Sequence, residues 1–136
     1  MDKTIIRLLG AIVIAALVLV ALSMGPLPRL VIGIIIGLPS FLLMLISRRQ
    51  LGDSFTIMPE AKKLVTTGLY YRIQHPLYFF LDLFLVSIIV VLGWSLLLWI
   101  WIILVVMQIL QSRREEKVLA AAFGAEYKTY QQQTWF

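Results

Sequence analysis

"YFFLDLFLVSIIVVLGWSLLLWIWIILVVMQILQ" (Tyr78 to Gln111) is a 34-residue apolar run with a single charged residue, Asp82. At ~1.5 Å of rise per residue it would reach roughly 50 Å as one helix, against a hydrocarbon core of about 30 Å. A run too long for one crossing has to fold back. "LGW" (Leu92 to Trp94) lies near its middle, so the reading is a tight helical hairpin that turns at Gly93, with two shorter, tilted spans.

Upstream, two more runs are long enough to cross a bilayer. Ile5 to Met24 is interrupted only by Arg7, and "GPLPR" (Gly25 to Arg29) ends it with two prolines. Leu30 to Ser47 follows and carries Gly33 and Gly37, a GxxxG pair that permits close helix packing. Two glycines that merely fall four apart would look the same. The expected architecture is all-α: one integral membrane domain with four transmembrane helices at about 5–24, 30–47, 77–92 and 94–111. A loop (48–76) and a helical tail (112–136) complete it.

The composition agrees. The 136 residues are 61% hydrophobic and 14% charged, far from the usual globular balance. A soluble core of this length cannot hide so much apolar surface, so the natural solvent is lipid. There is no cysteine, which excludes disulfides, cysteine nucleophiles, thiolate metal sites and thioether lipid anchors. A single histidine leaves no basis for a histidine-rich metal centre, and no metal site is expected.

The net charge of +5 reads as membrane topology rather than as a nucleic-acid surface. With both termini cytoplasmic, eleven of the twelve basic residues fall on the inner side, and only Arg29 falls outside. A cleaved signal peptide ending near "ALS" (Ala21 to Ser23) would leave three spans and spoil that pattern. A bacterial cytoplasmic membrane is the expected location. The loop has apolar anchors of its own (Leu51, Phe55, Ile57, Leu64, Val65), and order against the membrane surface is expected there. In the tail, Leu119, Phe123, Tyr127 and Tyr130 recur at helical spacing and form one stripe.

Two short motifs carry the chemistry. In "QHPL" (Gln74 to Leu77), the residue before proline is pushed out of the α region, and proline is favoured at the first helical position. His75 is therefore the expected cap of the third helix. A helix N-terminus attracts anions. His75, Tyr78 and Asp82 share one face at i, i+3 and i+7. An interfacial anchor would read similarly, although an ionisable residue inside a span is a functional candidate by default. In "RREEKVL" (Arg113 to Leu119), Glu115 and Glu116 follow the fourth helix at the same surface. A solvated charge cluster and a cation site are both open there. Together the motifs suit a zwitterionic or cationic ligand at one rim. No GxGxxG or P-loop is present.

"LVTTGLYYRIQHPLY" (Leu64 to Tyr78), then the hairpin, then "RREEKVLAAAFGAEYKTYQQQTWF" (Arg113 to Phe136) resembles the isoprenylcysteine carboxyl methyltransferase and phospholipid methyltransferase family of integral membrane enzymes. The linked motifs are a TGxY segment, a His-Pro-x-Tyr motif, a hairpin, Glu-Glu and a Phe-Gly-x-x-Tyr-x-x-Tyr tail. The resemblance implies S-adenosylmethionine as methyl donor and a lipophilic acceptor that enters from the bilayer. It nominates His75, Pro76, Tyr78, Glu115 and Glu116 for the cofactor, with Gly68 and Tyr70 shaping the approach. Tyr127 and Tyr130 could close over its adenine, although an aromatic stripe more often serves packing. Arg72, as orienting cation, and His75 or Asp82, as base, are the candidate catalytic groups.

The chain departs from the pattern at two places. Gln74 replaces the usual arginine before the histidine, and Arg72 is the neighbour expected to supply the missing cation. Phe80 stands where glycine is common and is expected to narrow the cleft. An inactive scaffold of the same fold is the other reading of these two departures, and a small four-helix transporter or channel subunit that depends on Asp82 is the other reading of the chain.

Overall fold

The computed structural model describes residues 2–51 and 68–136. They form α1 (Lys3–Leu22), α2 (Pro26–Leu51), a 3-10 turn (Gly68–Tyr71), α3 (Pro76–Leu92), α4 (Leu96–Phe123) and α5 (Ala125–Gln133), with no strand among the described residues. The expected loop anchors Phe55, Ile57, Leu64 and Val65 lie outside the described residues. Of Leu51 only the backbone is described, as the end of α2.

Three helices, α1, α2 and α4, are long and apolar enough to cross a membrane. The 17-residue α3 is shorter. Most of α1's large apolar side chains are exposed, Ile12, Leu17 and Val20 among them, which suits lipid as the solvent. The core lies where α1, α3 and α4 meet, at Val18, Val86, Val90, Trp101 and Val105.

The hairpin turns where the sequence places it. Gly93 closes α3 in the left-handed conformation (φ 68°), and its N–H donates to the Ile89 carbonyl. A Cβ there would run into the Arg29 guanidinium. Arg29 thus sits over the carbonyl end of α3, a favourable place for a cation.

The glycine pair also packs as its spacing suggests. A Cβ on Gly33 would collide with Val91 Cγ2 and lie 3.1 Å from the Ser87 carbonyl, and one on Gly37 would lie 2.6 Å from Ser87 Oγ. Missing side chains at 33 and 37 let α2 seat directly on α3.

Two expectations are corrected. Helix 2 starts at Pro26 rather than Leu30, because proline is tolerated in a helix's first turn, where N–H groups have no intrahelical partner. Helix 4 does not end at Gln111 but runs unbroken to Phe123. The break comes at Gly124 (φ 53°). The single stripe therefore divides, with Leu119 and Phe123 on α4 and Tyr127 and Tyr130 on α5.

The chain's two ends meet. Lys3 Nζ donates to the Gln131 carbonyl, to Thr134 Oγ1 at 2.5 Å and to the Thr134 carbonyl at 3.3 Å. A cation at the last carbonyls of α5 offsets their partial negative charge. Beyond α5, the Trp135 N–H donates to the Arg72 carbonyl at 2.6 Å, and the Gln74 N–H donates to the Phe136 carbonyl at 2.9 Å. These bonds strap the tail across the segment that leads into α3.

Candidate functional site at the end of the helix bundle

The start of α3 is shaped as its sequence dictates. His75 is the N-cap, Pro76 is the first helical residue, and no side chain caps the helix start. The His75 ring stacks on Tyr78, with centroids 5.7 Å apart and planes inclined by 19°.

The extension of α4 brings the glutamate pair to this point. Glu115 and Glu116 are adjacent, so they leave the helix about 100° apart, and His75 sits between them. His75 Nε2 lies 3.2 Å from Glu116 Oε1, and Nδ1 lies 3.5 Å from Glu115 Oε2. The Tyr78 hydroxyl donates to Glu115 Oε1 at 2.6 Å.

The third contributor is α1. Arg7 Nη1 pairs with Glu116 Oε1 at 2.8 Å and donates to Ser112 Oγ at 3.3 Å, while Nη2 donates to Gln74 Oε1 at 2.8 Å. Arg7 and Glu116 are mostly buried, with side chains 12% and 20% exposed. The cation facing Gln74 is therefore Arg7, not the expected Arg72. Arg72 packs over the Tyr71 and Trp135 rings and donates to the Gln133 carbonyl. It belongs to the tail strap and stands apart from the cluster. In the sequence Arg7 reads only as topology, and its one visible signal is a charge inside an apolar run.

Other nominated residues support the site from behind. Gly68 (φ 65°) opens the 3-10 turn, whose Leu69 N–H donates to Gln50 Oε1 at 2.8 Å. The turn buries Tyr70. Burial, with Tyr130 and Glu115 close by, pushes the Tyr70 hydroxyl far above its usual pKa, so it stays a neutral donor. Tyr127 and Tyr130 are buried in the same layer, and burial likewise raises both hydroxyls. Tyr130 reaches the Ile73 carbonyl. Phe80 is also buried, edge-on to Phe79.

Two hollows adjoin the Arg7–Gln74–Glu116 network, Arg7 lining one and Gln74 and Glu116 the other. A polar one of about 420 Å³ is lined by Lys3, Gln74, Glu116, Lys128, Gln131 and Thr134, among others. An apolar one of about 270 Å³ runs down between α1, α3 and α4, past Arg7, His75, Tyr78, Asp82 and Trp101, with Phe136 at its border. Tyr127, Tyr130 and Phe80 are not among the residues that line these two hollows.

The model of the phospholipid methyltransferase family matches residues 25–126, three quarters of the chain. The chain belongs to that family. Comparisons with curated proteins and with solved structures return no match. Membership in the phospholipid methyltransferase family, whose members are integral membrane methyltransferases, implies methyl transfer and favours catalysis over the transporter reading. The family match contains the His75 and Glu115–Glu116 elements but leaves Lys3, Arg7, Tyr127 and Tyr130 outside it.

Tyr78→Phe isolates one bond of the cluster. Removing a hydrogen bond to a charged group costs about 1.5–3 kcal/mol. Glu115 keeps His75 as a neighbour, so the low end applies. Methyl transfer is expected to fall about tenfold, with unchanged protein yield, as read by the transfer of a labelled methyl group.

Proposed function

We propose that the chain is an S-adenosylmethionine-dependent methyltransferase that acts on a lipophilic acceptor at the cytoplasmic face of a membrane. One observation carries the reading: Arg7, which lines the apolar hollow, is bonded to Gln74 and Glu116, which line the polar one. A water-soluble donor and a membrane-borne acceptor need such an arrangement.

The polar hollow suits the donor's amino-acid end. Gln74 Nε2 is buried with no hydrogen-bond partner, which makes it a donor for a carboxylate, with Lys3 and Lys128 adding positive charge. Glu116 is the matching partner for an ammonium. S-adenosylmethionine, when bound, supplies an electrophilic methyl group. The protein's share is alignment and the exclusion of water. His75 and Tyr78 are held rigidly by the two glutamates at the head of the apolar hollow. Phe136, edge-on to Phe79 at 5.2 Å, screens its border.

The cytoplasmic assignment rests on charge: the end where Lys3, Arg7, Arg113 and Arg114 collect is the basic one. In this reading α3 is a fourth, short span, since its 17 residues reach about 26 Å at ~1.5 Å each.

Incubation with labelled donor and a membrane lipid extract is expected to yield a methylated lipid, a gain of about 14 Da that mass spectrometry reads. Glu116→Gln is expected to weaken donor binding at least about tenfold. Undiminished binding in that variant removes the cofactor assignment, and no binding by the unaltered protein removes the function.

A further inference from the structure

The apolar hollow contains two polar groups that the cluster above it does not use. Trp101 is 3% exposed, and its Nε1 is buried without a hydrogen-bond partner. Asp82 Oδ1 is buried and unpartnered as well. Trp101 and Gln108 lie within loose hydrogen-bonding reach of the Asp82 carboxylate, and all three line the hollow. No hydrogen bond of normal geometry closes on Trp101 Nε1 or on Asp82 Oδ1. Buried polar groups are nearly always paired, and leaving one unpaired is costly. The Trp101–Asp82 contact is too loose to satisfy either group, so a ligand that enters between them can pair with both.

The inventory of polar groups narrows the choice. A carboxylate only accepts, and it would set a second negative charge against Asp82. An ammonium only donates and leaves Trp101 Nε1 stranded. A hydroxyl gives its hydrogen to Asp82 Oδ1 and accepts from Trp101 Nε1–H with a lone pair. The remaining walls are mostly apolar, with Gln108 on the lining and Arg7, His75, Tyr78 and Ser112 as its other polar residues. The volume, about 270 Å³, sits at the small end of ligand cavities, so the occupant is slender. Asp82 is one turn beyond Tyr78, about 6 Å along α3, so a group held there lies just below the cluster.

We propose that Trp101 and Asp82 form an acceptor subsite for the hydroxyl of a slender lipophilic alcohol or phenol. The inference deepens the methyltransferase reading by naming the acceptor class, and it rests on that reading only for the transfer step after binding. Trp101 and Asp82 select the acceptor by its head group rather than by its tail.

Binding is therefore read without donor. The full chain in lipid nanodiscs is exposed to 1-dodecanol, dodecylamine or dodecanoate, and occupancy is counted by native mass spectrometry. Dodecanol is expected to bind about tenfold or more tighter than dodecanoate and tighter than dodecylamine. Trp101→Phe is expected to weaken dodecanol about tenfold and leave dodecylamine unchanged. Asp82→Asn is expected to raise dodecanoate to the level of dodecanol, and it carries the test if Trp101→Phe does not accumulate. Dodecylamine or dodecanoate binding as tightly as dodecanol overturns the subsite. So does a Trp101→Phe effect equal for all three probes, the mark of a purely structural role. Selective dodecanol binding without any methyl transfer upholds the subsite and removes the methyltransferase reading; methyl transfer without selectivity does the reverse.

Discussion

Arg7→Leu is expected to abolish nearly all activity, with a loss of about thirtyfold or more in donor binding and turnover. The magnitude comes from the cost of removing one member of a buried, hydrogen-bonded charge pair, about 2 kcal/mol or more. Arg7 makes three bonds at once, to Glu116, Ser112 and Gln74. Leucine would leave Glu116 with His75 alone and Gln74 with both ends of its amide free. The bonds that tie the lining of one hollow to that of the other would be lost. Arg7→Lys keeps the charge but not the fork that reaches Glu116 and Gln74 together, so it should recover part of the activity. Binding of labelled donor together with lipid methylation checks both variants. Full activity in Arg7→Leu would place the reaction elsewhere.

Gly33→Leu is expected to have the largest effect on the fold. Its Cβ alone would collide with Val91 and crowd the Ser87 carbonyl, and leucine adds three more carbons. Overpacking costs about 1–3 kcal/mol where neighbours can shift. Here one obstacle is backbone, so α2 must lift from α3 and the loss exceeds that range. The expected result is little folded protein in detergent, read as an early-eluting or absent peak in size-exclusion chromatography. Gly10→Leu is the control: a Cβ at Gly10 meets nothing within 4 Å, and normal elution is expected there. Normal elution of Gly33→Leu would overturn the close α2–α3 packing.

The helices and their junctions are legible because their causes are local. Hydropathy marks a span without any knowledge of its neighbours. Gly93 turns the hairpin and the His75–Pro76 step starts α3 because backbone conformation depends on the residue and its next neighbour. Gly33 and Gly37 signal a close approach, although not that Ser87 and Val91 are the groups approached. Sequence and structure part where two local signals compete. The charges after Gln111 suggest the end of a helix, but a helix leaving the membrane needs no break, and α4 continues until Gly124.

By itself the sequence determined an all-helical membrane chain, a hairpin at Gly93, a helix start at His75 and a glutamate pair carried to the same rim. Only the tertiary structure decided that Arg7 rather than Arg72 faces Gln74, that Arg72 and the tail form a strap, and that Asp82 shares a cavity with Trp101. The reason is separation along the chain. Helical periodicity says which face a residue occupies but not which helix that face will meet. Arg7 lies 67 positions from Gln74, and near the start of a span it has the same local signature as a charge that merely orients the helix.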